Sequence, residues 1–294
     1  MPNPNRTYDK THLSLDTAEE RGFVHRDYIA HCFRWSHVVK TLMSRHQYKD
    51  AHILDVGCGK DQPLPRLMYA NKMTGFDYTG VDINRMDFHP TMVKAHQNGK
   101  VRYALLEETD SSVLEVDDLP WGQADFVVAF EILEHIQPFI VHRMLHSWRK
   151  QMKPGGIAFV STPIFNGKAA ANHINEMGRV TLGAAFEAAG FRILKNYGTF
   201  ASISDLRLTK EEQGVFDRLR EYYDTNVLST FMAPLHPEGS RNNLWVIENL
   251  GPDVDGGPTI FREYEGFDFH NNKEANQNPN WQELFTGEAV QSEG

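Results

Sequence analysis

Cysteine is scarce in this chain: Cys32 and Cys58 are the only two in 294 residues. Two cysteines cannot build the disulfide framework of a small secreted domain, so a reducing, cytoplasmic setting is the expectation. Long apolar runs are missing too. No stretch approaches the ~18 residues of a membrane-spanning helix, and no membrane partner is expected. The opening residues 1–10 are polar with two prolines, unlike a signal peptide. No internal repeat is visible. Basic residues are outnumbered, 30 Lys and Arg against 39 Asp and Glu, for a net charge of −9. Taken whole, that sum disfavours a phosphate-rich partner. Its distribution changes the inference. Residues 251–294 hold nine acids and two bases, so most of the net negative charge is in one segment. The rest is near neutral, and residues 21–49 carry six bases (Arg21, Arg26, Arg34, Lys40, Arg45, Lys49) against Asp27 alone. A nucleic-acid substrate is therefore not excluded.

What is present is the composition of a folded α/β chain, 40% hydrophobic and 23% charged. Residues 1–50 read as a polar segment followed by an amphipathic helix. Ile29, Cys32, Phe33, Ser36, Val39, Leu42 and Met43 form its apolar stripe; Arg34, His37, Lys40 and Arg45 occupy the other face. Strands are expected at Ala51–Val56, Tyr78–Asp82, Val101–Leu106, Asp125–Phe130, Ile157–Ser161, Phe191–Tyr197 and Asn243–Glu248. Helices are expected at Gln137–Met152 and Thr181–Ala189, the latter closed by Gly190. Short apolar strands alternating with helices give a doubly wound, mostly parallel sheet covered on both faces. The domain spans 51–250. An insertion at about 203–241 contains a helical run, Lys210–Tyr223, and insertions of that length are lids or binding loops. Residues 251–294 read as an acidic, poorly ordered tail with Trp281, Leu284 and Phe285 as candidate anchors.

The first strand runs into Gly57-Cys58-Gly59 and a helix. Glycines there let a ligand approach the backbone and its N–H groups. The dinucleotide fingerprint fails at its sixth position, Gln62, which argues against an oxidoreductase. What remains is Asp55 ahead of the turn and a second acid, Asp82, at the tip of the next strand, placed to accept hydrogen bonds from ribose hydroxyls. After the fourth strand comes Glu131-Ile132-Leu133-Glu134-His135, and further on His173 and Glu176. Two carboxylates and an imidazole can hold Mg²⁺, Mn²⁺ or Zn²⁺.

The pieces ILDVGCG (53–59), YTGVD (78–82), ADFVVAFEILEHI (124–136) and MKPGGIAFVSTP (152–163) resemble the class I S-adenosylmethionine-dependent methyltransferases. The resemblance implies a seven-stranded sheet whose last strand is antiparallel, and S-adenosylmethionine as cofactor. By it, Asp55, Gly57, Cys58 and Gly59 surround the methionine moiety, Asp82 holds the ribose, Ile83 packs on the adenine, and Glu131 lies at the cofactor's edge. Asp61 stands where many members have a third glycine, and Glu107 or Asp110 is the adenine-side acid. The Glu-x-x-Glu-His string is similar to two branches, ubiquinone-type O-methyltransferases and small-RNA 2′-O-methyltransferases. That likeness implies Glu131, Glu134, His135 and His173 as metal ligands; a metal-free relative would use His135 and Glu134 on the acceptor side. The expected acceptor is an oxygen or nitrogen of a small molecule. The alternative is a nucleic acid or modified nucleotide, with metal-assisted 2′-O transfer.

Overall fold

Strand β1 (His52–Val56) is buried at every residue. Its side chains alternate between two cores. Ile53 joins one cluster; Leu54 and Val56 join the other. This is why the sequence reads as an unbroken apolar run: both faces of the strand are covered. A computed structural model describes residues 26–44, 48–59, 62–83, 90–105, 122–136, 138–165, 173 and 175–252. The 1–25 segment, Asp61, Glu107, Asp110 and the tail from 253 lie outside the described residues.

The remaining strands are β2 (Asp77–Asp82), β3 (Val101–Leu105), β4 (Ala124–Phe130), β5 (Met152–Pro163), β6 (Phe191–Phe200) and β7 (Asn242–Asn249). They make one sheet in the order β3-β2-β1-β4-β5-β7-β6. β1 pairs in parallel with β2 and β4; β7 runs antiparallel to both β5 and β6. The doubly wound, seven-stranded expectation holds. The chain leaves β1 on one side and returns on the other, so the order reverses between β1 and β4. That crevice at the carboxyl ends is where ligands of such sheets bind.

Helices α1 (Arg26–Ser44) and α2 (Pro63–Ala70) are followed by the short α3 (Val93–Gln97). Val38, Val39 and Leu42 of α1 and Leu64 and Met68 of α2 pack with Phe76, Phe126 and Phe159 on one face of the sheet. The other face is covered by α4 (Pro138–Gln151) and α5 (Arg179–Ala188), through Met144, Leu145, Trp148, Leu182 and Phe186. Each such fully buried side chain contributes roughly 1.5–3 kcal/mol. The insertion holds α6 (Lys210–Leu219) and α7 (Thr225–Met232). Thr209 caps α6 by accepting from the Glu212 N–H, and Glu212 reaches back to the Thr209 N–H. Among the described residues no helix is long and apolar enough to cross a membrane.

Three expectations are corrected. The run at Lys210–Tyr223 stops being helical at Leu219, and a second helix, α7, follows it. β5 begins at Met152, ahead of Pro154-Gly155-Gly156, because Met152 already pairs with Ala124 across an irregularity in the ladder. The buried stripe of α1 is rotated from the expected one. Ala30, Arg34, Val38, Val39 and Leu42 are buried, whereas Cys32, Ser36 and Met43 are exposed. The cause is Arg34, a cation on the inner face whose partners lie far along the chain.

Candidate functional site

The turn after β1 needs glycine. Gly57 and Gly59 have φ of 68° and 66°, in the left-handed region that costs other residues about 1–2 kcal/mol. The Gly57 and Cys58 N–H groups both donate to the Val81 carbonyl, at 2.8 and 3.2 Å. The Gly59 N–H donates to Asp82 Oδ2 at 3.0 Å. The loop after β1 is thereby locked to the acid that ends β2. Beneath it, Gly80 makes room: a Cβ there would sit 2.7 Å from Cys58 Sγ and from the Tyr103 ring. Gln62, buried and itself left-handed at φ 49°, leads into Pro63, the first residue of α2.

Asp55 is buried and accepts a hydrogen bond from the Tyr78 hydroxyl at 2.7 Å. Burial pushes its carboxyl up to about 7; the Tyr78 bond opposes this, and nearby Asp82 adds to it. A carboxyl in that state favours a cationic neighbour, which would restore its ionised form. Burial and the same two acids raise the Cys58 thiol, so it is a small loop residue and not a nucleophile. Ile83 packs against the core beneath α4 and α5. The cofactor-side residues expected from the sequence thus meet at the carboxyl ends of β1 and β2, with Tyr78 an addition.

At the tip of β4, Glu131 has φ 57°, a strained value for a residue with a side chain. Four contacts hold it. Ser161 Oγ donates to Oε1 at 2.8 Å, Asn242 Nδ2 reaches both oxygens at 3.0 and 2.9 Å, and Arg34 Nη1 lies 3.2 Å from Oε1. Arg34 also donates to Asn242 Oδ1 at 3.0 Å and Thr199 Oγ1 at 3.4 Å; Thr199 in turn donates to Asn242 Oδ1 at 2.7 Å. Burial raises the Glu131 carboxyl, but Arg34, His31 and the two hydrogen-bond donors outweigh it and set it below the usual range. Glu131 is therefore an anion committed to α1, β5 and β7.

Glu134 sits one turn on, 1% exposed, accepting from Thr162 Oγ1 at 3.0 Å. Burial and the Glu131 charge raise its carboxyl well above the usual range. His135 Nε2 lies 3.9 Å from Glu134 Oε1, and its ring meets the His173 ring edge-on at 5.1 Å. His173 Nδ1 is held by Glu176. Glu134, His135 and His173 each offer a ligand atom within 4.8 Å of the others. Glu131 does not join them, a correction to the four-ligand expectation. Its carboxylate is engaged by Arg34, Asn242 and Ser161 instead. Sequence reading missed Arg34, Thr199, Asn242 and Thr162 as site residues. Two of them left a signal: Thr162 lies in the quoted piece 152–163, and Arg34 is a lone cation on the face that also carries Val38 and Leu42.

A profile described as a methyltransferase domain matches residues 28–196. The chain is 22% identical over 233 residues to O-methyltransferase 3 of Dictyostelium discoideum, covering 71% of this chain and 50% of that protein. It is 28% identical over 127 residues to an uncharacterised protein of Rickettsia prowazekii, covering 43% and 48%. The chain thus spans about half the length of the curated relatives it matches. Among solved structures, it is similar to a Burkholderia thailandensis 1,6-didemethyltoxoflavin-N1-methyltransferase with bound S-adenosylhomocysteine. That match has TM-score 0.47 and 15% identity, covering 80% of this chain and 85% of that one. It is also similar to a Synechocystis magnesium protoporphyrin IX methyltransferase, with TM-score 0.46 and 13% identity, covering 76% and 84%. With more than half of its residues inside the matched profile, the chain belongs to the methyltransferase-domain family.

Proposed function

We propose that the protein transfers a methyl group from S-adenosylmethionine to an oxygen or nitrogen of a small molecule. The observation that carries this is the hydrogen bond from the Gly59 N–H to Asp82, which joins the glycine turn to the strand-end acid at the point where strand order reverses. The cofactor supplies an activated methyl on a sulfonium, so the hard chemistry is its own. This chain's residues bind and orient. Gly57 and Gly59 open a path to the backbone, Asp82 holds the ribose, Ile83 packs on the adenine, and Asp55 faces the cationic end. On the acceptor side His135 takes the proton from an attacking hydroxyl, with Glu134 beside it. Alignment of acceptor and methyl can supply roughly 7–11 kcal/mol of the barrier. The small-molecule reading is supported at one residue of the basic segment: Arg34 is 2% exposed and paired with Glu131, and so is not offered to phosphates, whereas Lys40 and Lys49 are exposed.

Calorimetry with S-adenosylhomocysteine tests the cofactor assignment, and absence of binding refutes it. Labelled S-adenosylmethionine with fractionated extract then tests the acceptor. Label in small molecules supports the proposal; label in RNA or DNA, with binding that weakens steeply with salt, favours the nucleic-acid alternative.

A second reading rests on the Glu134–His135–His173 group. Its two imidazoles and one carboxylate suit Mn²⁺ or Zn²⁺, and less well Mg²⁺. Glu176 on His173 Nδ1 is the kind of outer partner that orients a ligand imidazole. A cation there would ease deprotonation of an acceptor hydroxyl. Turnover that is undiminished in EDTA rules this out; loss with recovery on Mn²⁺, Zn²⁺ or Mg²⁺ supports it.

A further inference from the structure

The positive charge of the chain has a place in the fold. Strands β1, β2 and β3 lie side by side in parallel, so the segments that enter them meet along one edge of the sheet. Each of those segments carries an exposed lysine: Lys49 ahead of β1, Lys72 ahead of β2 and Lys100 ahead of β3. Past β4 the rim continues with Lys150 and Lys153 at the entrance to β5 and Arg192 at the start of β6, all exposed. Four acids share the edge, Asp50, Asp77, Asp125 and Glu248. The last three pair with Lys100, Lys153 and Arg192. Those bases stay 52%, 49% and 60% exposed, and pairs so open to water are weak. Bases therefore outnumber acids among the described residues of this rim.

The negative charge leaves the fold at the same edge. β7 is antiparallel to β5 and ends where the parallel strands begin. The Leu250 N–H donates to the Gly190 carbonyl at 3.2 Å, and Arg149 Nη2 donates to the Gly251 carbonyl. Residues 253–294, with nine acids against two bases, thus set out from the entrance to β6. Fully extended they reach ~140 Å, whereas β3 is five strand spacings from β7, or ~24 Å. The insertion offers no comparable partner, since residues 203–241 hold seven acids against five bases. We propose that residues 253–294 lie along this rim and mask it within the same chain. The contact is carboxylate on ammonium, and it leaves clear the crevice between β1 and β4 at the opposite ends of the strands. Tethering keeps the effective concentration of the tail near the millimolar range, so a polyanion in solution must displace it.

The test does not depend on the methyl-transfer reading. A carbodiimide joins a lysine to a carboxylate in direct contact, with no spacer. Applied to the full chain at low salt, with the monomer then isolated, it should link tail acids to Lys49, Lys72 and Lys100. Lys40, Lys195 and Lys210 are also exposed but stand away from the rim, and they should be linked far less. At 1 M salt, where charges are screened beyond ~3 Å, the rim links should largely disappear. Links that are absent, confined to dimers, or spread evenly over the six lysines overturn the proposal. The second arm uses heparin as the probe. In the full chain, exchanging the nine tail acids for Asn and Gln should tighten heparin binding by about tenfold or more at low salt. Adding Lys49→Glu, Lys72→Glu and Lys100→Glu should remove that gain, whereas the same reversal at Lys40, Lys195 and Lys210 should keep most of it. If neutralising the tail leaves heparin affinity unchanged, or if the two reversals act alike, the tail does not cover this rim.

Discussion

Around Asp82 the groups that meet come from residues 55–59 and 78–82, two adjacent parallel strands and the turns that end them. Around Glu131 they come from residues 34, 161, 199 and 242, on α1, β5, β6 and β7. The first group is the proposed cofactor side; the second is the polar network at the tip of β4, around the glutamate that the family resemblance sets at the cofactor's edge and ahead of the proposed acceptor residues Glu134 and His135. One is made by a local loop whose conformation only glycine adopts easily; the other is made by long-range polar pairing around a strained glutamate. A cofactor shared by many enzymes can be held by backbone geometry, which short motifs specify. An acceptor peculiar to one enzyme is met by side chains that only the completed fold assembles.

The largest effect that would sharpen this contrast is at Arg34. Arg34→Met removes the cation from a nearly buried pair and leaves the Glu131 carboxylate held by Ser161 and Asn242 alone, close to Glu134. Loss of one partner of a buried pair costs about 3–5 kcal/mol. Urea unfolding should report that loss, and adding Glu131→Gln should recover much of it. S-adenosylhomocysteine affinity should change little. A variant as stable as the parent would show that the acceptor edge does not depend on this pairing.

Asp55 supplies the next effect, from the other side. Its carboxyl is raised to about 7 from the ordinary 3.8, so between those values the native state keeps a proton that the unfolded chain releases. The native state then binds more protons, and stability falls as pH rises from about 4 to about 7, then levels. The full drop is up to ~4 kcal/mol. Asp55→Asn cannot ionise and keeps an oxygen for the Tyr78 hydroxyl. It should be more stable than the parent at pH 8 and should converge with it below pH 4. Parallel stability curves for the two proteins would refute the buried, proton-holding carboxyl.

Asp82→Ala should act on binding and not on the fold. A hydrogen bond to a charged group is worth about 1.5–3 kcal/mol, so S-adenosylhomocysteine affinity should drop about 10–100-fold. Unchanged affinity would remove Asp82 from the ribose and undo the cofactor half of the comparison.

The sheet was legible because its inner strands β1 and β4 are short apolar runs whose two buried faces erase any alternation, whereas the edge strand β6 is partly exposed. The glycine turn and Asp82 were legible for the same reason that they are local. Arg34 was not. Its partners Thr199 and Asn242 stand 165 and 208 residues away, and a helical wheel without them turns any arginine toward water. That single misplacement rotated the predicted stripe of α1. Glu131 was drawn into the metal set because it shares a face of sequence with Glu134 and His135, while its left-handed backbone and the Asn242 amide hold it elsewhere.

The smallest predicted effect tests where the acceptor half ends. Thr209 caps α6 at the start of the insertion, and α7 of that insertion touches α1 through Phe33 and Phe231, whose rings lie 4.9 Å apart. Thr209→Ala removes one capping bond, worth about 1 kcal/mol. The site itself is untouched. If the insertion and α1 together wall the acceptor, loosening α6 should raise KM for the acceptor by a few-fold and leave cofactor affinity unchanged. If KM does not move while the melting temperature falls, the insertion is an outer buttress. The acceptor edge is then confined to Glu134, His135, His173 and the Arg34 network.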